Sequence, residues 1–119
     1  MDLDKRKRNP KKIECGYVYV LCQDRKPDYV KVGCSKDPDA RLEQLKQEFS
    51  MPKLKIKHTS KKVADVRSLE ALIHTILIKD NQRVPFEYIP PNGKEKKTCY
   101  EWFSVHYLYA ASLIDIWAK

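Results

Sequence analysis

The sequence has no apolar run that approaches the ~20 residues that a membrane-spanning helix needs. Its N-terminus is dense in charge and lacks the apolar stretch that a secretory signal peptide carries. We therefore expect an intracellular protein, in the nucleus or the cytoplasm of its host cell. The 119 residues contain no internal repeat and no segment with the composition of an interdomain linker, so we expect a single folded domain.

Metal-binding and DNA-reading modules are also missing from the sequence. The spacings of the four cysteines fit no paired zinc motif, and three of the four flank apolar segments. We expect reduced, partly buried thiols at Cys15, Cys22, Cys34 and Cys99. Because there is no zinc finger or helix-turn-helix, any nucleic-acid selectivity is expected to be weak or directed at structure rather than sequence.

Positive charge is the strongest signal in the composition. The chain has 24 lysines and arginines against 16 aspartates and glutamates, and residues 1–12 carry +4 of the net charge of +8. We predict that residues 1–12 form a basic disordered tail and that residues 13–119 form the folded domain. A solubilising tail, or a nuclear import signal in residues 5–8, is an alternative explanation for this charge. Because the rest of the chain is also basic, a polyanionic partner such as nucleic acid is favoured.

Two apolar segments near the N-terminus predict a β-hairpin. Residues 16–22 and 28–33 are rich in β-branched and aromatic side chains, and a short polar turn joins them. A register that pairs Tyr19 with Lys31 gathers the valines on one buried face. Those valines are Val18, Val20, Val30 and Val32. The opposite face then presents the tyrosines together with Lys31 and Gly33.

The middle of the chain predicts two helices and a third strand. Residues 37–39 (Asp-Pro-Asp) combine an N-cap, a proline and an acid, which together indicate a helix start. Alternation over residues 53–58 predicts a strand whose outer face carries Lys53, Lys55 and Lys57. Those lysines suit phosphate contact and equally protect an edge strand from aggregation. Residues 65–79 predict the second helix, with Glu70 and His74 one turn apart at its border.

One segment in the C-terminal third of the sequence allows two structural interpretations. Residues 80–97 are either a long loop or part of a minor hairpin that pairs residues 86–89 with residues 99–103. Ser104 is expected to cap a final helix whose apolar side carries Leu108, Ala111 and Trp117. The predicted order is strand, strand, helix, strand, helix, loop or minor hairpin, helix.

An ordered set of motifs extends over residues 15–117. The set comprises Gly16-Tyr17-Val18-Tyr19, Val30-Lys31-Val32-Gly33, Arg41, Leu69-Glu70-Ala71-Leu72-Ile73-His74 and Glu101-Trp102-Phe103. Each piece alone is unspecific, but together and in this order they resemble the GIY-YIG endonuclease superfamily, in particular its short stand-alone branch of phages and large DNA viruses. The resemblance implies an α+β fold in which a small three-stranded antiparallel sheet is flanked by helices.

The resemblance also implies a catalytic site. Its members, with two further candidates, are Tyr19, Lys31, Arg41, Glu70, Tyr17 and His74. Glu70 would be the oxygen ligand of one Mg²⁺ or Mn²⁺ ion. Arg41 would brace the non-bridging phosphate oxygens, and Tyr19 would orient or activate the attacking water.

Two positions depart from the superfamily pattern. Lys31 stands where the superfamily name records a tyrosine, and it is either a general base with a lowered pKa or a phosphate-contacting lysine. The choice of Tyr19 or Lys31 as the base therefore stays open. Leu45 stands where some relatives have a histidine, and His74 is the substitute to examine. The tyrosines are equally explained as packed strand aromatics, and Glu70 as an exposed helix residue in an ion pair.

We therefore predict a divalent-metal-dependent endonuclease that hydrolyses DNA phosphodiester bonds by a one-metal mechanism. The expected partner is DNA, with branched and nicked DNA among the candidate forms, and a monomer is assumed. The residues expected to contact DNA are Lys36, Lys53, Lys55, Lys57 and Arg67. The alternative is a catalytically inactive, nuclease-derived module that binds nucleic acid without cutting it. A third and weaker hypothesis is a protein-interaction domain whose lysines meet an acidic host surface.

Overall fold

The computed structural model describes residues 13–118, so the tail predicted for residues 1–12 lies outside the described residues. The first half contains β1 (Tyr17–Gln23), β2 (Lys26–Ser35), α1 (Pro38–Glu48), β3 (Leu54–Thr59) and α2 (Val66–Lys79). The second half contains β4 (Phe86–Tyr88), β5 (Lys97–Cys99), β6 (Trp102–Phe103) and α3 (Tyr107–Trp117). The α+β class is confirmed. None of these helices has the length and apolar character needed to span a membrane.

The main sheet has four antiparallel strands, in the order β3-β1-β2-β6, so the expected count of three strands was wrong. The fourth strand is only two residues long, and it pairs Trp102 with Lys31 and Phe103 with Val30. A strand this short contains too little alternation to be detected in the sequence.

The minor hairpin, one of two interpretations of residues 80–97, is confirmed. Strand β4 pairs with β5, with Phe86 opposite Cys99 and Tyr88 opposite Lys97. The chain then leaves this hairpin, and residues 102–103 join the main sheet instead. The expected partner segment 99–103 was therefore placed too far along the chain.

The main sheet separates two apolar clusters, one of which contains the predicted buried valine face. The valine face packs against α2 and α3 in a cluster that includes Val18, Val20, Val30, Val32, Ile73, Phe103 and Ile114. The tyrosine face packs against α1 and the minor hairpin in a cluster that includes Tyr19, Leu21, Leu45, Phe49 and Trp102. Alternate side chains of β1 therefore pack into the apolar clusters on opposite faces of the sheet.

The register of the first hairpin differs by two residues from the predicted one. Tyr19 lies opposite Gly33, and Lys31 lies opposite Leu21. The reason is the turn, because β1 continues to Gln23 and β2 already begins at Lys26. A shift of two residues keeps every side chain on its predicted face, since the period of a strand is two.

Strand β3 lies at an edge of the main sheet, and two of its lysines are paired within the chain. Lys55 and Lys57 donate to the two carboxylate oxygens of Asp24, at 2.6 and 2.5 Å. Lys57 also lies over the ring of Tyr107, 5.2 Å from its centre. Edge protection is thus consistent with the position of this strand.

The predicted alternation of β3 ends at Lys57. The pairing with β1 is irregular at this point, because Ile56 and His58 pair with consecutive residues of β1 and Lys57 is an extra residue. His58 therefore faces the side opposite to Ile56, where its Nε2 lies 2.8 Å from Oδ1 of Asp115 in α3.

The helix starts of α1 and α2 follow their caps. Asp37 accepts a hydrogen bond from the amide of Ala40 at 3.2 Å, and Asp65 accepts one from the amide of Ser68 at 3.3 Å. These bonds satisfy amides that have no partner within the helix.

The start of α3 was predicted wrongly. His106, not Ser104, is the N-cap, and its Nδ1 accepts a hydrogen bond from the amide of Leu108 at 3.1 Å. The buried side of α3 is formed by Ala110, Ala111 and Ile114. Leu108 and Trp117, which were expected on the apolar side, are exposed.

We expect the bonds between Asp24 and its two lysines to make stability depend on pH in the acid range. Hydrogen bonds from Lys55 and Lys57 lower the pKa of Asp24 to about 2 from an ordinary value of 3.8. A lowered folded-state pKa gives stability that is present above the unfolded pKa and is lost as the pH falls towards 2. Urea titrations should show the stability difference between wild type and Asp24→Asn shrinking from pH 5 to pH 2.

Salt supplies the control for this prediction. The pair is exposed, so added salt should screen it and reduce the difference at pH 5. A difference that stays constant across this pH range would contradict the assignment.

Candidate active site

The side chains of Tyr19 and Lys31 converge above Gly33. A Cβ atom on Gly33 would lie 2.6 Å from the Tyr19 hydroxyl oxygen and 2.9 Å from Nζ of Lys31. These distances are far inside the ~3.5–4.0 Å at which such atoms pack. The glycine is therefore needed because two functional groups occupy the space that any other side chain would fill.

Lys31 is a buried cation held by Glu101. Lys31 is 3% exposed, and its Nζ donates to Oε1 of Glu101 at 2.7 Å. Burial lowers the pKa of Lys31, but the electrostatic effects of Tyr19 and Glu101 outweigh it, so the pKa lies above its ordinary value. Lys31 is therefore charged near neutral pH, which opposes the lowered pKa that a general base needs.

The main sheet positions Glu101 directly. Its carbonyl oxygen accepts a hydrogen bond from the amide of Val32 at 3.1 Å, and the next residue, Trp102, pairs with Lys31 in β6. The carboxylate thus reaches Lys31 from the start of the strand that borders β2. Sequence reasoning gave Glu101 no place in the site, although it stands in the Glu101-Trp102-Phe103 motif. A charged residue directly before two buried aromatics was the signal that could have identified it.

Arg41 joins this cluster from α1 and lies beside the hydroxyl of Tyr19. Burial raises the pKa of Tyr19, while Lys31 and Arg41 act in the opposite direction without cancelling it. The phenol is therefore neutral near pH 7 and can both donate and accept a hydrogen bond. Nη1 of Arg41 also donates to Oε1 of Gln44 at 2.9 Å, which holds the guanidinium along the helix.

Glu70 approaches the cluster from α2, on the valine side of the sheet. The thiol of Cys34 donates to Oε1 of Glu70 at 3.4 Å. Burial raises the pKa of Glu70, and the negative charge of Glu101 raises it further. Burial and Glu70 together raise the pKa of Cys34 to about 12, so this thiol stays protonated. Glu70 is thus a partly desolvated carboxylate with a second carboxylate close by.

The donor chemistry at Glu70 fits a hard divalent cation. Mg²⁺ is typically held by one or two carboxylates, with water and substrate phosphate oxygens completing its shell. Within residues 13–118, no group of three or more His, Cys, Asp or Glu side chains is placed to hold a metal ion. The oxygens of Glu70 are the donors that a cation could use here, and Glu101 adds negative charge to the same region.

His74 connects α2 to the sheet. Its Nε2 lies 2.7 Å from the carbonyl oxygen of Val32, which can only accept, so Nε2 carries the hydrogen. The imidazole ring also packs against Phe103, with 5.3 Å between ring centres. A structural role explains these contacts. Leu45, the position for which His74 was the expected substitute, is buried in the core.

A cavity of about 350 Å³ opens on the tyrosine face beside the cluster. Lys31 and Arg41 line one side of it, and Glu101 lies on its rim together with the end of the minor hairpin. Its full lining comprises Lys31, Arg41, Leu45, Glu48, Phe49, Tyr88, Thr98, Cys99, Tyr100 and Glu101. Two cations therefore face a space that is accessible from solvent.

The remaining predicted residues lie elsewhere. Tyr17 and Lys36 line a separate hollow of about 330 Å³ at the start of α1. Arg67 is exposed, and its Nε donates to Oε1 of Glu14 at 3.1 Å. Lys53 is exposed beside the first hairpin turn. The structure therefore brings together Tyr19, Lys31, Arg41 and Glu70, and it leaves Tyr17 outside this cluster.

Comparison with known proteins gives one family. A family model described as the T5orf172 domain matches residues 16–118, which is almost the whole of the described chain. No curated protein and no solved structure matches the chain.

We predict that Gly33→Ala displaces the two groups above the glycine. The new methyl group must push aside the Tyr19 hydroxyl and the Lys31 ammonium, and overpacking of this kind costs about 1–3 kcal/mol of stability. Denaturant titration should show this loss. Gly93→Ala is the matched control, because its nearest neighbour would be a side-chain carbon of Pro90 at 3.3 Å in an exposed loop. Equal losses in the two variants would contradict the close approach at Gly33.

Proposed function

The chain belongs to the T5orf172 domain family, and we propose that it is a divalent-metal-dependent endonuclease of the GIY-YIG type that hydrolyses DNA. The T5orf172 domain is associated in general with nucleases and DNA binding. The observation that carries the proposal is the convergence of Tyr19 and Lys31 above Gly33. Arg41 interacts with Tyr19, and Glu70 interacts electrostatically with Lys31 and Glu101.

The two cations bind the phosphate that is cleaved. Arg41 presents a planar set of donors to the non-bridging oxygens, where negative charge grows during hydrolysis. Lys31 adds a fixed positive charge, because its pairing with Glu101 keeps the ammonium charged and limits its motion. A buried and positioned charge stabilises the transition state more than a solvated one, since it needs little reorganisation.

Tyr19 orients the attacking water. Its phenol is neutral, and its hydroxyl lies within the group formed by Lys31 and Arg41, so it can hold a water molecule by hydrogen bonding. The water attacks phosphorus, the bond to the leaving oxygen breaks, and solvent takes one proton from the water and gives one to the leaving oxygen. Lys31 is assigned to charge stabilisation and not to proton removal, because its pKa is raised.

Glu70 would hold a divalent cation, Mg²⁺ or Mn²⁺. Such an ion would supply positive charge that offsets the charge developing on the phosphodiester. Burial and the negative charge of Glu101 raise the pKa of Glu70, and a cation bound at Glu70 would offset the repulsion between the two carboxylates. The thiol of Cys34 steadies one carboxylate oxygen and leaves the other available for coordination.

The charge of the chain supports a nucleic-acid substrate. Lys36 and Lys53 are exposed, and neither forms an ion pair within residues 13–118. Contacts of this kind bind the phosphate backbone without reading sequence. Lys55, Lys57 and Arg67 can contribute only by leaving the carboxylates that they contact.

We expect the protein to convert supercoiled plasmid into nicked or linear DNA when Mg²⁺ or Mn²⁺ is present. Arg41→Ala and Glu70→Ala should each lower the rate by at least about a hundredfold, because each removes a charge that acts in the transition state. Gel analysis of plasmid over time measures this. Glu43→Ala is the matched control, since Glu43 lies exposed on α1 and, among residues 13–118, forms an ion pair with Lys46 one turn away.

The same experiment separates the enzyme from a binding module. Absence of cleavage with every divalent cation, together with intact DNA binding, would refute the nuclease proposal. Salt-sensitive affinity that survives both EDTA and Glu70→Ala would then support the alternative of a non-cutting module.

A further inference from the structure

Tyr100 is an exposed aromatic side chain at the rim of the candidate active site. It is 56% exposed, and it lines the same cavity as Lys31 and Arg41. It also directly precedes Glu101, the partner of Lys31. A large apolar ring in this position is not explained by the core, because it belongs to neither apolar cluster.

One side of this ring is already occupied by a cation. The guanidinium of Arg83 lies over Tyr100, 5.5 Å from the ring centre. A cation over an aromatic face is attractive and helps to fix the orientation of the ring. Arg83 covers one face of the Tyr100 ring, and the exposed part of the ring can stack against a planar ligand.

The backbone holds both residues rigidly against the sheet. Arg83 forms an isolated β-bridge with Phe103, and the amide of Val84 donates to the carbonyl oxygen of Trp102 at 2.9 Å. On the other side, the residue after Tyr100 is bonded through its carbonyl oxygen to β2. Tyr100 and Arg83 therefore occupy fixed positions at the edge of β6 and are not part of a free loop.

The surrounding charge suits a nucleic-acid strand. Lys94 and Lys97 are exposed on the minor hairpin that leads to Tyr100. Grooves that bind single strands combine backbone-contacting cations with aromatic rings on which bases stack. This combination is present here, next to the two cations that face the cavity.

We propose that Tyr100, supported by Arg83, is a stacking platform for an unpaired DNA base next to the phosphate held by Lys31 and Arg41. A base within a duplex has both faces covered by its neighbours, and taking it out of the stack costs a few kcal/mol, so a flap, a branch or a single-stranded end supplies the base most readily. This inference rests on the proposed function for the position of the phosphate, and it assigns that same site a preference for interrupted duplexes.

Binding measured without cleavage tests the platform. Fluorescence anisotropy in EDTA would compare a fluorescein-labelled DNA hairpin carrying a short single-stranded flap with the same hairpin fully paired. Tyr100→Ala should weaken binding to the flapped DNA by roughly tenfold and leave binding to the paired DNA within about twofold. Tyr100→Phe should keep the wild-type preference, because stacking needs the ring and not the hydroxyl.

An abasic flap identifies the base as the ligand. Wild type should lose the same roughly tenfold affinity when the flap lacks its bases, and Tyr100→Ala should show no further loss on that probe. Tyr109→Ala is the control, because Tyr109 is an exposed tyrosine on α3, which packs on the other side of the sheet. It should change neither affinity.

The failures of the two proposals are distinguishable. Equal losses on flapped and paired DNA, no loss in Tyr100→Ala, or no binding of wild type to the flap would each overturn the platform. If the protein cuts plasmid but binds flapped and paired DNA equally well, the nuclease proposal stands and only the platform is refuted. A preserved flap preference in a protein that cuts nothing would support the platform and refute the nuclease.

Discussion

The burial of a single ammonium group constrains both the fold and the candidate site. Lys31 is almost fully inaccessible in a central strand, and an unpaired charge in such a place is strongly destabilising. Glu101 must therefore lie beside it, and because the Glu101 side chain is 42% exposed, removing it costs less than the loss of one partner from a fully buried pair. Because Glu101 directly precedes β6, the pair also fixes where β6 joins β2. Trp102 then enters the tyrosine-face cluster and Phe103 enters the valine-face cluster.

The electrostatic balance of the cluster suits the chemistry of a phosphodiester. Two cations, Lys31 and Arg41, line the cavity together with two carboxylates, Glu48 and Glu101. A third carboxylate, Glu70, lies on the valine side of the sheet and interacts electrostatically with Glu101. Glu101 holds Lys31 in its charged form. Glu70 is partly desolvated and is repelled by the charge of Glu101, and a bound cation would offset that repulsion. A substrate phosphate and a divalent ion would bring opposite charges to these two regions.

The sequence predicted the faces of the strands better than the pairing of individual residues. The valine pattern placed Tyr19 and Lys31 on one side correctly, because alternation has a period of two and is insensitive to a shift of two residues. The register itself depended on the length of the turn, which composition does not specify. Strand β6 was missed because two residues show no period, and with it the position of Glu101 was missed.

The helix caps and the site residues also show that local interactions could be predicted from the sequence and long-range ones could not. Asp37 and Asp65 were predictable as caps because they act on amides only three residues away. The true cap of α3 was missed because Ser104 is also a good capping residue and only packing decides between them. Tyr19, Lys31, Arg41 and Glu70 were proposed from an ordered motif, whereas the ion pair between Lys31 and Glu101 spans 70 positions and follows only from the folded sheet.

The central claim is that Lys31 acts as a charged group held by Glu101. The most direct test is the pH dependence of the DNA-cleavage rate in wild type and in Glu101→Gln, with Glu43→Gln as the control. Removing Glu101 takes away an effect that raises the pKa of Lys31 and leaves burial, which lowers it. We predict that the variant is slower than wild type at neutral pH and that its alkaline loss of activity begins at a lower pH. A variant that cuts faster than wild type at neutral pH would show that Lys31 works as a base and would contradict the account.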